Sequence, residues 1–132
     1  MSQFTKPFIG ELVGRNLWKV YEEFEYHVGS YPSDEIIVVP KGFITNFASV
    51  PRIFWSLISP IDEHGKAAVI HDYCYCVGSY SRKRSDKIFR EGLQVLNVKP
   101  WKVFCMYWAV RLFAWFAWFN ARRVAPRIVN NE

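Results

Sequence analysis

From Val103 to Phe119 the chain runs seventeen residues with one side chain that is neither apolar nor aromatic, Arg111. A helix that is apolar all round must meet apolar matter on every side, in a core, in lipid or at a neighbour. This stretch is short of the roughly 20 apolar residues that span a bilayer, and a mid-span charge is costly there. The sequence therefore predicts a helix over 100–123 that packs into the core and leaves an aromatic end exposed. Lys99-Pro100 opens it, with proline at a permitted first-turn position. Trp115 and Trp118, followed by Arg122, Arg123 and Arg127, have the composition of a surface for a membrane interface, a protein partner or another copy of the chain.

Such a helix needs a domain to pack against. The chain has 132 residues and 51% hydrophobic content, enough for one compact domain over 1–132 with its own core. Its 22% charged fraction argues against wholesale disorder. The net charge of +5 suits an anionic partner. Nucleic acid ranks last among such partners, because the basic run Arg82-Lys83-Arg84 has no aromatic platform interleaved with it. That run opposes a helix dipole at an N-terminus, which marks it for service to a partner. Cys74, Cys76 and Cys105 match neither a disulfide framework nor a zinc spacing and read as free thiols. The first residues lack an apolar signal core, so the expectation is synthesis in the cytoplasm without a secretory signal.

Residues 8–45 read as β structure. Trp18, Val20, Phe24, Tyr26 and Val28 alternate onto one face, with Lys19, Glu23, Glu25 and His27 on the solvated face and Glu22 as a bulge. Gly29 to Asp34 is a turn cluster, Glu35–Val39 is β-branched, and Phe43-Ile44-Thr45 resumes the pattern after Pro40-Lys41-Gly42. A small antiparallel sheet of three or four strands follows. Pro51 suits the first turn of a short helix over 51–58 with Ser49 as its cap. Thr45, Asn46 and Ser49 could instead line a polar pocket at a strand end. His64 falls in a polar link and reads as exposed.

Two helices, 66–77 and 82–97, follow, joined by Gly78-Ser79-Tyr80. On the first, His71 and Tyr75 are four residues apart and share a face, while Asp72 points about 100° away. Ala67, Ile70 and Cys74 beside His71 imply a buried imidazole, whose ring nitrogens need partners and which becomes an acid or base once a carboxylate orients it. On the second helix Ile88, Phe89 and Leu93 form the inner stripe, with Asp86 toward its edge. The fold class is α+β: an N-terminal antiparallel sheet followed by three main helices, two of them pairing around His71 and Asp86.

Gly42-Phe43-Ile44-Thr45-Asn46-Phe47-Ala48-Ser49-Val50-Pro51, Ala68-Val69-Ile70-His71-Asp72-Tyr73-Cys74-Tyr75 and Ser81-Arg82 with Asp86-Lys87-Ile88-Phe89 resemble a family of short bacteriophage and prophage proteins, known as a domain of unknown function. The resemblance runs from about residue 36 to residue 113 and includes Met106 to Arg111. The family usually has Asp at position 46 and Ala at position 85, where this chain has Asn46 and Ser85. The resemblance implies a phage-encoded accessory or virion-associated protein, for example of the tail. Its partners would be other phage proteins or the host envelope, and it would be made in the host cytoplasm.

His71-Asp72-x-x-Tyr75 followed by Asp86-x-x-Phe89 is also similar to the His-Asp helices of phospholipase A-two enzymes. That similarity implies a hydrolase acting at the cell envelope. In it His71 is the general base, Asp86 orients it, Asp72 is a calcium ligand and Tyr75 holds the network. Thr45 and Ser49, from the polar stretch upstream, would stand behind that network, and Asn46 is a metal-ligand candidate without the carboxylate usual at its position. The chain departs from those enzymes upstream, where Thr45 to Pro51 contains no glycine to form a calcium loop.

Overall fold

A computed structural model describes residues 3–4, 9–14, 17–45, 65–77, 80–115 and 118–119. The fold is α+β, and the described residues form five short strands followed by three helices. The strands are β1 (Gly10–Gly14), β2 (Leu17–Val20), β3 (Phe24–His27), β4 (Ile36–Val39) and β5 (Ile44–Thr45); the helices are α1 (Gly65–Val77), α2 (Arg82–Val95) and α3 (Pro100–Phe113). The short helix expected over 51–58, Asn46, Ser49, His64, Arg122, Arg123 and Arg127 lie outside the described residues.

The sequence predicts one sheet, and the described strands form two. β1, β2 and β5 form one antiparallel sheet and β3 with β4 the other. The run from Trp18 to Val28 is thus two strands and not one strand bulged at Glu22. Tyr21, Glu22 and Glu23 are exposed and leave the ladder, so the chain changes sheets between β2 and β3. Val20, Phe24, Tyr26 and Val28 are buried, as their alternation predicts. Gly42 makes the return to β5: its φ of 94° is a backbone region that side chains disfavour. Around it, Gly42 N–H donates to Val20 O and Val20 N–H to Phe43 O, each at 2.9 Å.

His27 corrects the sequence reading. It was placed by alternation on a solvated face, yet it is only 6% exposed. The turn after β3 folds back over it: Ser33 N–H donates to Nδ1 at 3.2 Å, and the Tyr31 ring lies 4.6 Å away.

Helix α1 is buried on nearly every side, including Ala67, Ala68, Val69, Ile70, Cys74 and Cys76, and forms the axis of the core. It packs against α2 and also touches β4 and β5, while α3 packs on α2. Small residues let α1 and α2 close: a Cβ at Gly92 would sit 3.3 Å from the Ala67 Cβ. Ser81 caps α2 by accepting from Arg84 N–H at 3.1 Å. Asn97, at φ 63°, turns the chain out after α2, a left-handed conformation that asparagine tolerates.

α3 ends at Phe113 with Ala114 as its C-cap, and residues 120–123 of the expected helix lie outside the described residues. Arg82 donates through Nη2 to the carbonyls of Val110 (2.9 Å) and Arg111 (2.6 Å), satisfying the C-terminal acceptors where a cation also suits the helix dipole. Among the described residues no helix is long and apolar enough to cross a membrane.

Candidate functional site

The pairing of α1 with α2 brings His71, Tyr75 and Asp86 to one point. Nε2 of His71 lies 2.6 Å from Asp86 Oδ1. The Tyr75 hydroxyl donates to the same oxygen at 2.6 Å. Arg111, from α3, donates through Nη1 to Asp86 Oδ2 at 2.7 Å. His71 and Asp86 are both 0% exposed. The imidazole is held between two rings, with the centroid of Tyr75 at 4.3 Å and that of Phe89 at 4.8 Å.

Burial by itself disfavours an ionised Asp86, and it is the largest single influence on that carboxyl. The bond and charge of His71 and the donations of Tyr75 and Arg111 outweigh it, so the carboxyl titrates below the usual range. Burial, then the adjacent Asp86 charge and hydrogen bond, push the Tyr75 phenol far above its ordinary value. Tyr75 therefore stays protonated and donates. An ionised Asp86 can only accept, so Nε2 of His71 carries the proton of this bond. In the neutral ring Nδ1 is then a lone-pair acceptor. It is buried, and among the described residues it has no hydrogen-bond partner.

Asp72 does not join this cluster. It is 2% exposed, and its Oδ2 accepts from Thr45 Oγ1 at 2.5 Å. Thr45, on β5, is itself fully buried, so Asp72 ties α1 to the sheet. The described residues do not fit a calcium ion, which takes six to eight oxygen ligands. Asp72 offers one carboxylate already engaged by Thr45, and no group of three His, Cys, Asp or Glu that could hold a metal lies among the described residues. Trp115 is 53% exposed. Trp118 is half-buried and turns inward, its ring edge-on to Tyr75 at 5.1 Å.

Arg111 is the site residue that sequence reasoning missed. Its signal was present: a lone cation in a long apolar run needs a carboxylate to meet, and buried charges are paired. The basic run at the start of α2 also has internal work to do. Arg82 caps α3, and Arg84 pairs with Glu35 at 2.7 Å.

The fold and site define a class: a small α+β chain in which two packed helices hold a buried histidine–aspartate pair, braced by a tyrosine and by an arginine from a third helix. Within that class the chain belongs to the family described as "Protein of unknown function (DUF1353)", which matches residues 18–110. It is also similar to "Uncharacterized protein y4jT" of Sinorhizobium fredii (strain NBRC 101917 / NGR234), with 38% identity over 77 residues. The match takes in 57% of this chain and 23% of that relative, so the chain spans only a fraction of the relative's length. No solved structure matches.

Proposed function

We propose that this chain is a hydrolase of phospholipase type, phage-encoded and acting on an ester at the cell envelope, with His71 as general base. The observation that carries the reading is Nδ1 of His71, a buried acceptor without a partner among the described residues on a ring whose other nitrogen is fixed by Asp86. Leaving a buried acceptor unmade costs about 1–3 kcal/mol, which a water donating to Nδ1 would offset. In the reaction Nδ1 takes a proton from water as the water oxygen bonds to the ester carbonyl carbon. The bond to the alcohol oxygen then breaks, and Nδ1 returns the proton to the departing alkoxide. Asp86 stabilises the imidazolium formed between those steps. Tyr75 and Arg111 keep that carboxylate charged and aimed, and act through it rather than on substrate.

A second reading has its own support. His71 and Asp86 are both 0% exposed, as suits a phage accessory or virion protein whose polar network fixes a helix pair. Fatty-acid release from phospholipid vesicles, and cleavage of short-chain esters, separate the two. The hydrolase reading expects turnover by the wild type and a loss of about 10²–10⁴-fold in His71→Gln. Absence of turnover by folded wild-type protein, across both substrate types and with or without calcium, leaves the accessory role.

A further inference from the structure

The charge of this chain is divided sharply along its length. Residues 1–91 carry eleven Lys and Arg against eleven Asp and Glu, while residues 92–132 carry six against one. The whole net charge of +5 therefore belongs to the segment that contains α3. On α3 itself Trp101, Phe104, Trp108 and Leu112 follow at spacings of three, four and four, which places them on one stripe. Trp115 and Phe119 continue the spacing beyond the end of the helix. All six are between 47% and 65% exposed, while Val103, Met106, Tyr107 and Val110 are buried. The three tryptophans of this stripe recur every seven residues.

A groove of about 570 Å³ opens beside the stripe and shares Phe104 with it. Arg90 and Lys99 line it together with Val103. Arg90 holds its guanidinium over the Tyr107 ring at 4.7 Å, and Lys102 lies 5.6 Å from the Trp101 ring. Lys102 beside the exposed Trp101 indole and Arg90 over the buried Tyr107 ring give this apolar face a charged edge.

We infer that this face of α3 docks on an anionic lipid bilayer. Trp101, Phe104, Trp108 and Leu112 enter the headgroup region, and Arg90 and Lys99 meet lipid phosphates at the groove. Tryptophan favours that depth because its ring is apolar while its N–H needs a polar partner. Charge selects the bilayer over a second copy of the chain, since a homodimer across this face brings Arg90, Lys99 and Lys102 of both copies together, whereas anionic lipid neutralises them. The docking does not depend on the chemistry proposed for His71.

Co-sedimentation with vesicles of phosphatidylglycerol and phosphatidylcholine, and with phosphatidylcholine alone, tests the inference on the full chain. Binding is expected to the anionic vesicles, to weaken in high salt, and to fall at least about tenfold on neutral ones. Phe104→Glu with Trp108→Glu should reduce binding at least about tenfold, because a charge enters the bilayer where an apolar ring did. Phe104→Ser alone gives a milder check in the same direction should the double variant not fold. His71→Gln should bind like the wild type, so loss of docking and loss of hydrolysis are read separately. Three results overturn the inference: no vesicle binding by monomeric protein, equal binding to neutral and anionic vesicles, or a dimer that Phe104→Ser dissociates and that ignores vesicles.

Discussion

Helix α2 carries two carboxylates five residues apart, and they work differently. Glu91 Oε1 accepts from the Tyr26 hydroxyl, from Gln3 Nε2 at 3.2 Å and from Gly29 N–H at 2.9 Å. It thereby ties the start of the chain and the turn after β3 to α2, and its donors among the described residues are neutral. Asp86 also accepts from a tyrosine, but its other partners are an imidazole and a guanidinium. Holding a fold together takes no more than the Glu91 kind of cluster. The Asp86 cluster adds a cation that keeps the carboxylate charged in an apolar interior, and a ring whose second nitrogen has no partner among the described residues. That excess over structural need is what singles out Asp86.

The largest effect expected is on stability in Asp86→Ala. Removing this acceptor leaves the Arg111 guanidinium, the Tyr75 hydroxyl and His71 Nε2 without their common partner. Breaking such a buried arrangement typically costs about 3–5 kcal/mol, readable by urea denaturation. A loss below about 1 kcal/mol would mean that packing alone holds the helices. The acid limb of stability sharpens the same point. The folded Asp86 carboxyl titrates below its ordinary value of 3.8, so its stabilisation is fully present above that value and is lost as pH falls through the folded one. Wild-type stability should therefore drop more steeply below about pH 4 than that of Asp86→Asn, which has no carboxylate to protonate. Parallel acid limbs in the two proteins would remove Asp86 from the account.

How much of this could be read in the sequence varies by element. The α+β class was legible because alternation in Phe24, Tyr26 and Val28 gives way to helical spacing around His71 and Ile88. The split into two sheets was not, because hydrophobic alternation continues across Tyr21 to Glu23 and pairing partners are non-local. His71, Tyr75 and Asp86 could be grouped since two of them share a helix face and the third follows after a short link. Arg111 could not be placed by any local rule, for its position depends on how α3 crosses α2. His27 was misread for the same reason: strand parity reports the two faces of a strand, and says nothing of a turn that folds back over one of them.

A smaller loss is expected at the other carboxylate. Glu91→Ala strands the buried hydroxyl of Tyr26 and releases Gln3 and the exposed amide of Gly29, at about 1–3 kcal/mol, and should leave ester hydrolysis unchanged. Should hydrolysis fall in Glu91→Ala as far as in Asp86→Asn, the distinction between the two clusters collapses.

The smallest effects expected are those of the paired hydroxyl deletions, Tyr75→Phe and Tyr26→Phe, and these discriminate most finely. Each removes one hydrogen bond from an acceptor that keeps two other partners and should cost about 0.5–1.5 kcal/mol, so stability at neutral pH does not tell them apart. Their acid limbs do. Tyr75 is one of the donors that hold the Asp86 carboxyl below its usual range, and without it the folded titration moves back up toward the ordinary value. The stabilisation from Asp86 is then smaller and is lost at higher pH than in the wild type. Tyr26 makes no contact with Asp86, and its deletion should leave that part of the limb where it was. Urea midpoints measured from pH 3 to pH 7 for both variants and the wild type read this directly. A shift of equal size in both would mean that the acid limb reports the fold as a whole and that Asp86 has no titration of its own to show.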